Sequence, residues 1–215
     1  MKILLVYYSR TGFTEKVMSN VKDSLVERGH TVEVEQLQVI KKTSCIGEIL
    51  KDLHHYPLIF FTLCSVSFRK WYIANYIQIE EDIAPLQYPD VSGFDRICIG
   101  GPKWAQISYP VARYLRTVCG LEGKNIGSVA TFGGPPLPVF ELGMIEQTMT
   151  RVVSEKSATI IAHLGLSSGY HELGVMPLFR IISRIRLCKP IEYFTIGSGY
   201  ANNLTRQFCD TIASE

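Results

Sequence analysis

The sequence has 215 residues, of which 47% are apolar and 20% are charged, and its formal net charge is +2. This length suits one domain with a sizeable core, and the near balance of charge gives no whole-molecule electrostatic reason to expect nucleic acid or a membrane as a partner. Six cysteines are scattered along the chain without a C-x-x-C pair, so no metal site is expected and the thiols are typical of a reduced, cytoplasmic protein.

Apolar runs and helical periodicities alternate along the chain. Continuous or alternating apolar segments predict five strands, at 3–7, 30–37, 95–101, 125–132 and 158–166. Helical spacing predicts helices after most of them, from Thr14 to Arg28, from about Pro110 to Gly120, from Phe140 to Ser154, and around Leu204 to Ile212. Such alternation predicts an α/β fold with a parallel sheet.

Two segments are longer than a crossover connection requires. They span roughly 41–92 and 167–198, and we expect both to be insertions within one domain that covers residues 1–215.

A cluster of hydroxyl groups lies where the first strand passes into the first helix. There Ser9, Thr11 and Thr14 surround Gly12. A helix N-terminus offers free N–H groups and a positive dipole end to an anion, and glycine lets the backbone approach it. The lysine of the nucleoside-triphosphate loop and the three-glycine dinucleotide fingerprint are absent. The pattern therefore predicts a cradle for a phosphate monoester, and the alternative is a helix cap that binds nothing.

Two further loops follow the third and fourth strands. They read G-G-P-K-W-A-Q at 100–106 and T-F-G-G-P-P at 131–136. Because the carboxyl ends of parallel strands meet at one edge of a sheet, both loops should lie beside the hydroxyl cluster. Trp104 could stack there on a flat aromatic ligand, with Gly133 and Gly134 leaving room for its edge. A Trp104 that simply belongs to the core is the alternative.

These motifs resemble those of flavodoxins. S-R-T-G-F-T at 9–14 is similar to the S/T-x-T-G-x-T phosphate loop of that family, and G-G-P-K-W-A at 100–105 is similar to the G-T-P-x-W-A loop of flavodoxin-like proteins. The resemblance covers roughly 1–40, 93–166 and 199–213. It implies a flavodoxin-like, doubly wound, five-stranded parallel sheet of order 2-1-3-4-5, with FMN as the cofactor.

The resemblance also implies which residues hold FMN. The first loop would bind its phosphate, the second would line the flavin ring, and the third would line the pyrimidine side of the ring. The residues expected in these roles are Ser9, Arg10, Thr11, Gly12, Phe13 and Thr14, then Pro102, Lys103, Trp104 and Ala105, then Thr131, Phe132, Gly133 and Gly134.

The chain departs from the family pattern at a few of these positions. Phe13 stands where Asn is frequent, and Gly101 stands where Thr is usual, which removes a polar contact at each position. Lys103 would bring a cation close to the ring. No catalytic residue is identified.

Each insertion carries a basic segment. Residues 69–76 are a lid over the flavin, a partner surface or, slightly favoured, an ordinary packed helix. Residues 177–189 interleave Arg180, Arg184 and Arg186 with apolar side chains. This pattern is typical of an amphipathic helix, whose polar side is more commonly solvated than bound to a membrane surface or an acidic partner.

The histidines give weaker indications. The adjacent His54 and His55 lack the spacing of a metal site, and His163, within a strand, is expected to be a core residue with satisfied hydrogen bonds. His171 and Glu172 lie in the second insertion and are candidates for proton transfer.

Two functions suit an FMN protein of this kind. One is an oxidoreductase that passes electrons from NAD(P)H or a protein donor to a small acceptor such as a quinone. The alternative is a one-electron carrier between redox partner proteins, and a third class is an interaction module without flavin. The insertions and the basic balance favour the enzyme, since carrier flavodoxins are usually acidic. A homodimer stays open.

Overall fold

The computed structural model describes residues 1–40, 61, 65–75, 79–104, 106–171 and 174–214. The predicted insertion at 41–92 is therefore described only in part. Four residues named above, His54, His55, Ala105 and Glu172, lie outside the described residues.

Five parallel strands form one sheet. They are β1 (Lys2–Tyr7), β2 (Thr31–Gln36), β3 (Arg96–Pro102), β4 (Asn125–Phe132) and β5 (Thr159–Ser167). Their order is β2-β1-β3-β4-β5, which confirms the predicted fold class. Strand β1, which lies between β2 and the central β3, is buried on both faces because helices cover the sheet on both sides, and this explains its uninterrupted apolar sequence.

Six α-helices are described. They are α1 (Phe13–Glu27), α2 (Val66–Asn75), α3 (Tyr109–Thr117), α4 (Gly143–Ser154), α5 (Met176–Leu187) and α6 (Gly199–Ala213). A π-helical turn, Pro138–Leu142, leads into α4, and a 3-10 turn, Ile191–Phe194, follows α5. Every helix in this part of the chain is too short or too polar to cross a lipid bilayer.

The helices cover the sheet in two layers. On one face, α1 and α6 contribute Val21 and Phe208 to a core with Leu5. On the other face, α3 and α4 contribute side chains such as Leu115 and Ile145 to the second core. This two-sided arrangement follows from right-handed crossovers between parallel strands.

The strand register brings four chain segments to the same edge of the sheet. Tyr7 of β1 pairs with Gly100 of β3, and Pro102 pairs with Thr131 of β4. The residues that follow β1, β3, β4 and β5 therefore emerge together at the carboxyl ends of the strands. In an open α/β sheet this edge is where ligands bind.

Candidate functional site

The phosphate loop, residues 9–14, carries β1 into α1. Gly12 caps α1 with a φ of +82°, a left-handed conformation that costs glycine no steric energy. Its carbonyl accepts the Lys16 N–H at 2.9 Å. The backbone N–H groups of residues 11–14 make no hydrogen bond to any described residue. Four unpaired donors at the positive end of the helix dipole suit an anion.

The hydroxyl groups of the loop have two different surroundings. Ser9 Oγ accepts the Glu15 N–H at 3.3 Å, and Thr14, only 2% exposed, places its Oγ1 2.8 Å from Thr131 Oγ1. These contacts fix the shape of the loop and tie it to the end of β4, although the threonine pair still has one hydroxyl proton to donate to a ligand. Thr11 is exposed, so its hydroxyl faces solvent.

Two ring-side loops, residues 102–104 and 131–134, lie next to the phosphate loop. In the first, the half-buried Trp104 meets Tyr8 and Tyr109 edge-on, with ring centroids 5.5 Å and 5.2 Å apart. The indole is thus held in place by its neighbours, and its stacking on a flavin ring stays a prediction. Burial, followed by the Glu81 carboxylate, raises the pKa of Tyr8, and Arg10 opposes the shift.

Lys103 forms a buried ion pair that the sequence did not indicate. Its Nζ lies 2.7 Å from Glu141 Oε2, and the two side chains are only 9% and 8% exposed. The same Nζ lies 4.4 Å from the centroid of the Phe140 ring. The predicted cation is therefore present, but the carboxylate beside it balances its charge. Glu141 belongs to the π-helical turn, and no motif marks it.

The glycine pair in the second ring-side loop meets the second insertion. A Cβ added to Gly133 would lie 2.5 Å from the Tyr170 carbonyl oxygen, and one added to Gly134 would lie 3.4 Å from the Phe179 ring. The Cβ side of both glycines is therefore filled by protein, so on that side the room predicted for the edge of a ligand is occupied by Tyr170 and Phe179. A larger residue at Gly133 would push the insertion away from the loop.

Tyr170 connects the phosphate loop with the ring-side loops. Its ring centroid lies 5.8 Å from that of Phe13, and its backbone lies against Gly133. His171 lies at the same place, with its ring 5.6 Å from Phe179. Neither Tyr170 nor Phe179 was indicated by the sequence, although their position after the fifth strand was a signal that could have found them.

The remaining predicted residues lie at the same edge, with different exposure. The structure also places four more of the predicted residues here, namely Ser9, Arg10, Pro102 and Gly134. Phe132, in contrast, is only 5% exposed, and its side chain belongs to the core beneath the loop. All the described members of the predicted set are thus brought together, and their contact with FMN stays a prediction.

His163 differs from its prediction. It lies on β5 and is half-buried, and its Nδ1 is buried without a hydrogen-bond partner among the described residues, so the expectation of a satisfied core histidine is wrong for this atom. Burial lowers its pKa, and the Glu146 carboxylate partly offsets this shift. Within the described ranges, no three His, Cys, Asp or Glu side chains form a group that could hold a metal ion.

Comparisons with known proteins agree with the topology. The sequence matches no protein-family model and no curated protein. Among solved structures, flavodoxin 1 of Bacillus cereus has a TM-score of 0.52 at 10% identity, over 100% of this chain and 99% of its own. Flavodoxin 2 of Bacillus cereus has a TM-score of 0.52 at 13% identity, over 99% and 98% of the two chains.

A third structure extends the similarity to another organism. The flavodoxin of Streptococcus pneumoniae TIGR4 has a TM-score of 0.50 at 12% identity, over 99% of this chain and 98% of its own. At such identities the likeness establishes the architecture, and the chain has the flavodoxin fold. Function has to be argued from the site itself.

Proposed function

We propose that this protein is an FMN-dependent oxidoreductase that passes electrons from NAD(P)H or a protein donor to a small acceptor such as a quinone. The observation that carries the proposal is the set of four unpaired N–H groups at residues 11–14, next to loops with an aromatic ring and a glycine pair. FMN joins a phosphate monoester to a flat ring system, so its two parts match the two parts of this edge.

The phosphate loop fits a monoester better than a nucleoside triphosphate. Its backbone N–H and hydroxyl donors are neutral, Arg10 is its one cation, and the lysine of the triphosphate-binding pattern is absent. The helix dipole and the exposed Thr11 side chain add attraction for a dianion. Gly12 has no atom within 4 Å of an added Cβ, so a ligand has open access to the backbone there.

The ring-side loops would position the flavin ring and exclude water from it. FMN, when bound, supplies the electron or hydride transfer, and the protein orients it. Tyr8 and Tyr109 fix the Trp104 indole, and the Lys103–Glu141 pair fastens the first ring-side loop to the π-helical turn. These contacts support the proposal, because a ligand would meet an indole and a loop that protein neighbours already hold in place.

The second insertion favours an enzyme over a carrier. Through Tyr170 and Phe179 it packs on the glycine pair, and through Tyr170 it also reaches Phe13. A wall at this position narrows the approach of a partner protein and forms one side of a pocket for a small molecule. The net charge of +2 likewise differs from the acidic balance that is usual in carrier flavodoxins. The carrier stays the second candidate, since the three structural neighbours are flavodoxins.

The test begins with the purified protein. We expect a yellow protein that releases FMN, and not FAD, on heating, and an apoprotein that binds FMN more tightly than riboflavin, which lacks the phosphate. A colourless protein that does not quench the fluorescence of added FMN would contradict the cofactor assignment.

Anaerobic stopped-flow reduction separates the two functions. We expect NADH or NADPH to bleach the visible flavin band with saturation kinetics, and a quinone to restore it with turnover. If neither nicotinamide reduces the flavin while a ferredoxin- or flavodoxin-type reductase reduces it rapidly, the protein is a carrier.

A further inference from the structure

The helix α5 presents an apolar stripe to solvent. Leu178, Ile181 and Ile185 are 54%, 55% and 71% exposed. Their spacing of three and four residues places them on one side of the helix. The opposite side is anchored, because Phe179 lies against Gly134 and Ser183 is fully buried. The stripe is therefore an outer face that the described part of the chain leaves uncovered.

Cations flank this stripe. Arg184 and Arg186 are both exposed, and each lies about 100° around the helix axis from Ile185, one on either side. Neither makes an ion pair with a described residue. Residues 176–189 contain four cations and no Asp or Glu, and only Arg180 pairs with a carboxylate, that of Glu192 at 3.2 Å.

We infer that the outer face of α5 docks on an anionic lipid bilayer, lying in the plane of the headgroups. Aliphatic side chains between two long, flexible cations match such a surface, because the arginine stems can extend towards the phosphates while the aliphatic groups enter the acyl boundary. In this binding mode α5 lies on the membrane surface, and none of the described helices is long and apolar enough to cross it.

Other occupants fit less well. In a second copy of this chain the same arginines would meet one another, with no carboxylate within 176–189 to pair with them. A stripe of three side chains on a convex helix is also narrow for a protein interface, which usually buries about 800 Å² on each partner. Insertion into headgroups has no such threshold, since its strength scales with apolar area and with charge.

Docking would bring the candidate site close to the membrane. The inner face of α5 touches Gly134 of the second ring-side loop. The lipid surface would then lie about one helix diameter, roughly 10 Å, from that loop. An acceptor dissolved in the bilayer would have a short path to the site, but the docking itself is independent of any flavin.

Vesicle flotation of the full chain tests the inference. The probes are vesicles of phosphatidylcholine alone and of equimolar phosphatidylcholine and phosphatidylglycerol. The test variant is Ile181→Glu/Ile185→Glu. The control is Val26→Glu/Ile40→Glu, which makes the same change of net charge at two other apolar residues, 50% and 64% exposed. Thermal unfolding by circular dichroism verifies that each variant is folded.

The wild-type protein and the control are expected to float with the anionic vesicles and to be released by salt, whereas the test variant loses about tenfold or more of its binding. Absence of wild-type binding to anionic vesicles overturns the inference, as does equal loss in both variants. A wild-type dimer that the test variant alone makes monomeric would assign the stripe to a second copy instead.

A second measurement applies if the test variant does not fold. In Ile185→Trp we expect a blue shift of the added fluorescence on vesicle binding and quenching by brominated lipid, and in Val26→Trp we expect neither. An unchanged spectrum of Ile185→Trp with vesicles overturns the inference.

Discussion

The phosphate loop and the ring-side loops share one edge of the sheet, but they hold their positions by different means. The phosphate loop is six consecutive residues, and the backbone N–H groups of residues 11–14 make no hydrogen bond to any described residue. The ring-side loops are held by side chains from other parts of the chain, including the buried Lys103–Glu141 pair and the aromatic neighbours of Trp104.

This difference separates binding from stability. A solvent-facing donor stabilises little until an anion arrives, because water satisfies it in the empty protein. A buried ion pair affects the stability of the folded protein itself, because removing one partner leaves an unpaired charge in a poorly solvated place. Substitutions of solvent-facing groups in the phosphate loop should therefore change mainly the affinity for FMN, whereas substitutions of buried groups, beside the ring-side loops above all, should change the free energy of unfolding.

The largest effect is expected at Glu141. Glu141→Gln leaves the buried Lys103 ammonium without its counterion, and it should lower the free energy of unfolding by about 3 kcal/mol in urea denaturation. The double variant Lys103→Met/Glu141→Leu removes both charges, and it should lie within about 1 kcal/mol of the wild-type protein.

An exposed pair provides the control for Glu141. Arg180 and Glu192 are each 62% exposed at an N···O distance of 3.2 Å, so Glu192→Gln should cost less than about 1 kcal/mol. Equal costs for the two Glu→Gln changes would show that the pair at the ring-side loops contributes no more than a surface contact.

The two threonines of the phosphate loop should respond differently. Thr14→Val removes the buried Thr14 hydroxyl, which forms a hydrogen bond with Thr131 Oγ1. The substitution should lower the free energy of unfolding by about 1–2 kcal/mol. Thr11→Val should leave stability within about 0.5 kcal/mol, and it should weaken FMN binding by about tenfold, because it removes a donor to a charged group. Urea denaturation and fluorescence titration measure the two effects.

A double-mutant cycle on Thr14→Val and Thr131→Val isolates the buried contact, and we expect a coupling energy of about 1 kcal/mol. Riboflavin is the control ligand for Thr11→Val, and its affinity should not change. If Thr11→Val weakens riboflavin as much as FMN, the hydroxyl does not contact the phosphate.

The same contrast explains how much the sequence could predict. Apolar runs bounded by polar residues predict β1, β3 and β4 well, since burial on both faces leaves little choice of residue. The phosphate loop is equally predictable, because the strand, the hydroxyl groups and the helix start are contiguous. In these regions the local structure is determined by residues that are contiguous in the sequence.

The surroundings of the ring-side loops depend on residues far apart along the chain. Glu141 reaches Lys103 through a π-helical turn, and Tyr170 reaches Phe13 from beyond β5. Hydrophobic periodicity does not predict these long-range contacts. It indicates which side of each element is buried, but not which element packs against it. The exposure of the stripe on α5 was undetermined for the same reason.

Gly12 offers a smaller test of the phosphate loop. Gly12→Ala places a side chain at a φ of +82° and should cost about 1 kcal/mol of stability. Gly123, with a φ of +71° and no atom within 4 Å of an added Cβ, is a matched control that should lose a similar amount. Only Gly12→Ala should also weaken FMN binding, because its methyl group lies where the backbone faces the ligand. Similar FMN affinities for the two variants would place the phosphate elsewhere.

The smallest expected effect concerns His163 on β5. His163 lines a small cavity with Leu142, Ile145 and Glu146, beneath the turn that carries Glu141. Burial lowers the pKa of His163 in the folded protein, with Glu146 opposing, relative to an ordinary value of about 6.5. Stability from the neutral ring is therefore present above about pH 6.5 and is lost as the pH falls through the lower, folded-state pKa.

His163→Gln cannot titrate, so it should lose less stability than the wild-type protein between neutral pH and pH 5, by less than about 1 kcal/mol. Urea midpoints at several pH values measure the difference. The pKa of His30 is also lowered, chiefly by burial, but this residue is present in both proteins, so its contribution cancels. Parallel pH profiles for the two proteins would mean that His163 has the same proton affinity in the folded and unfolded states. His163 would then contribute nothing to the pH dependence of the free energy of unfolding.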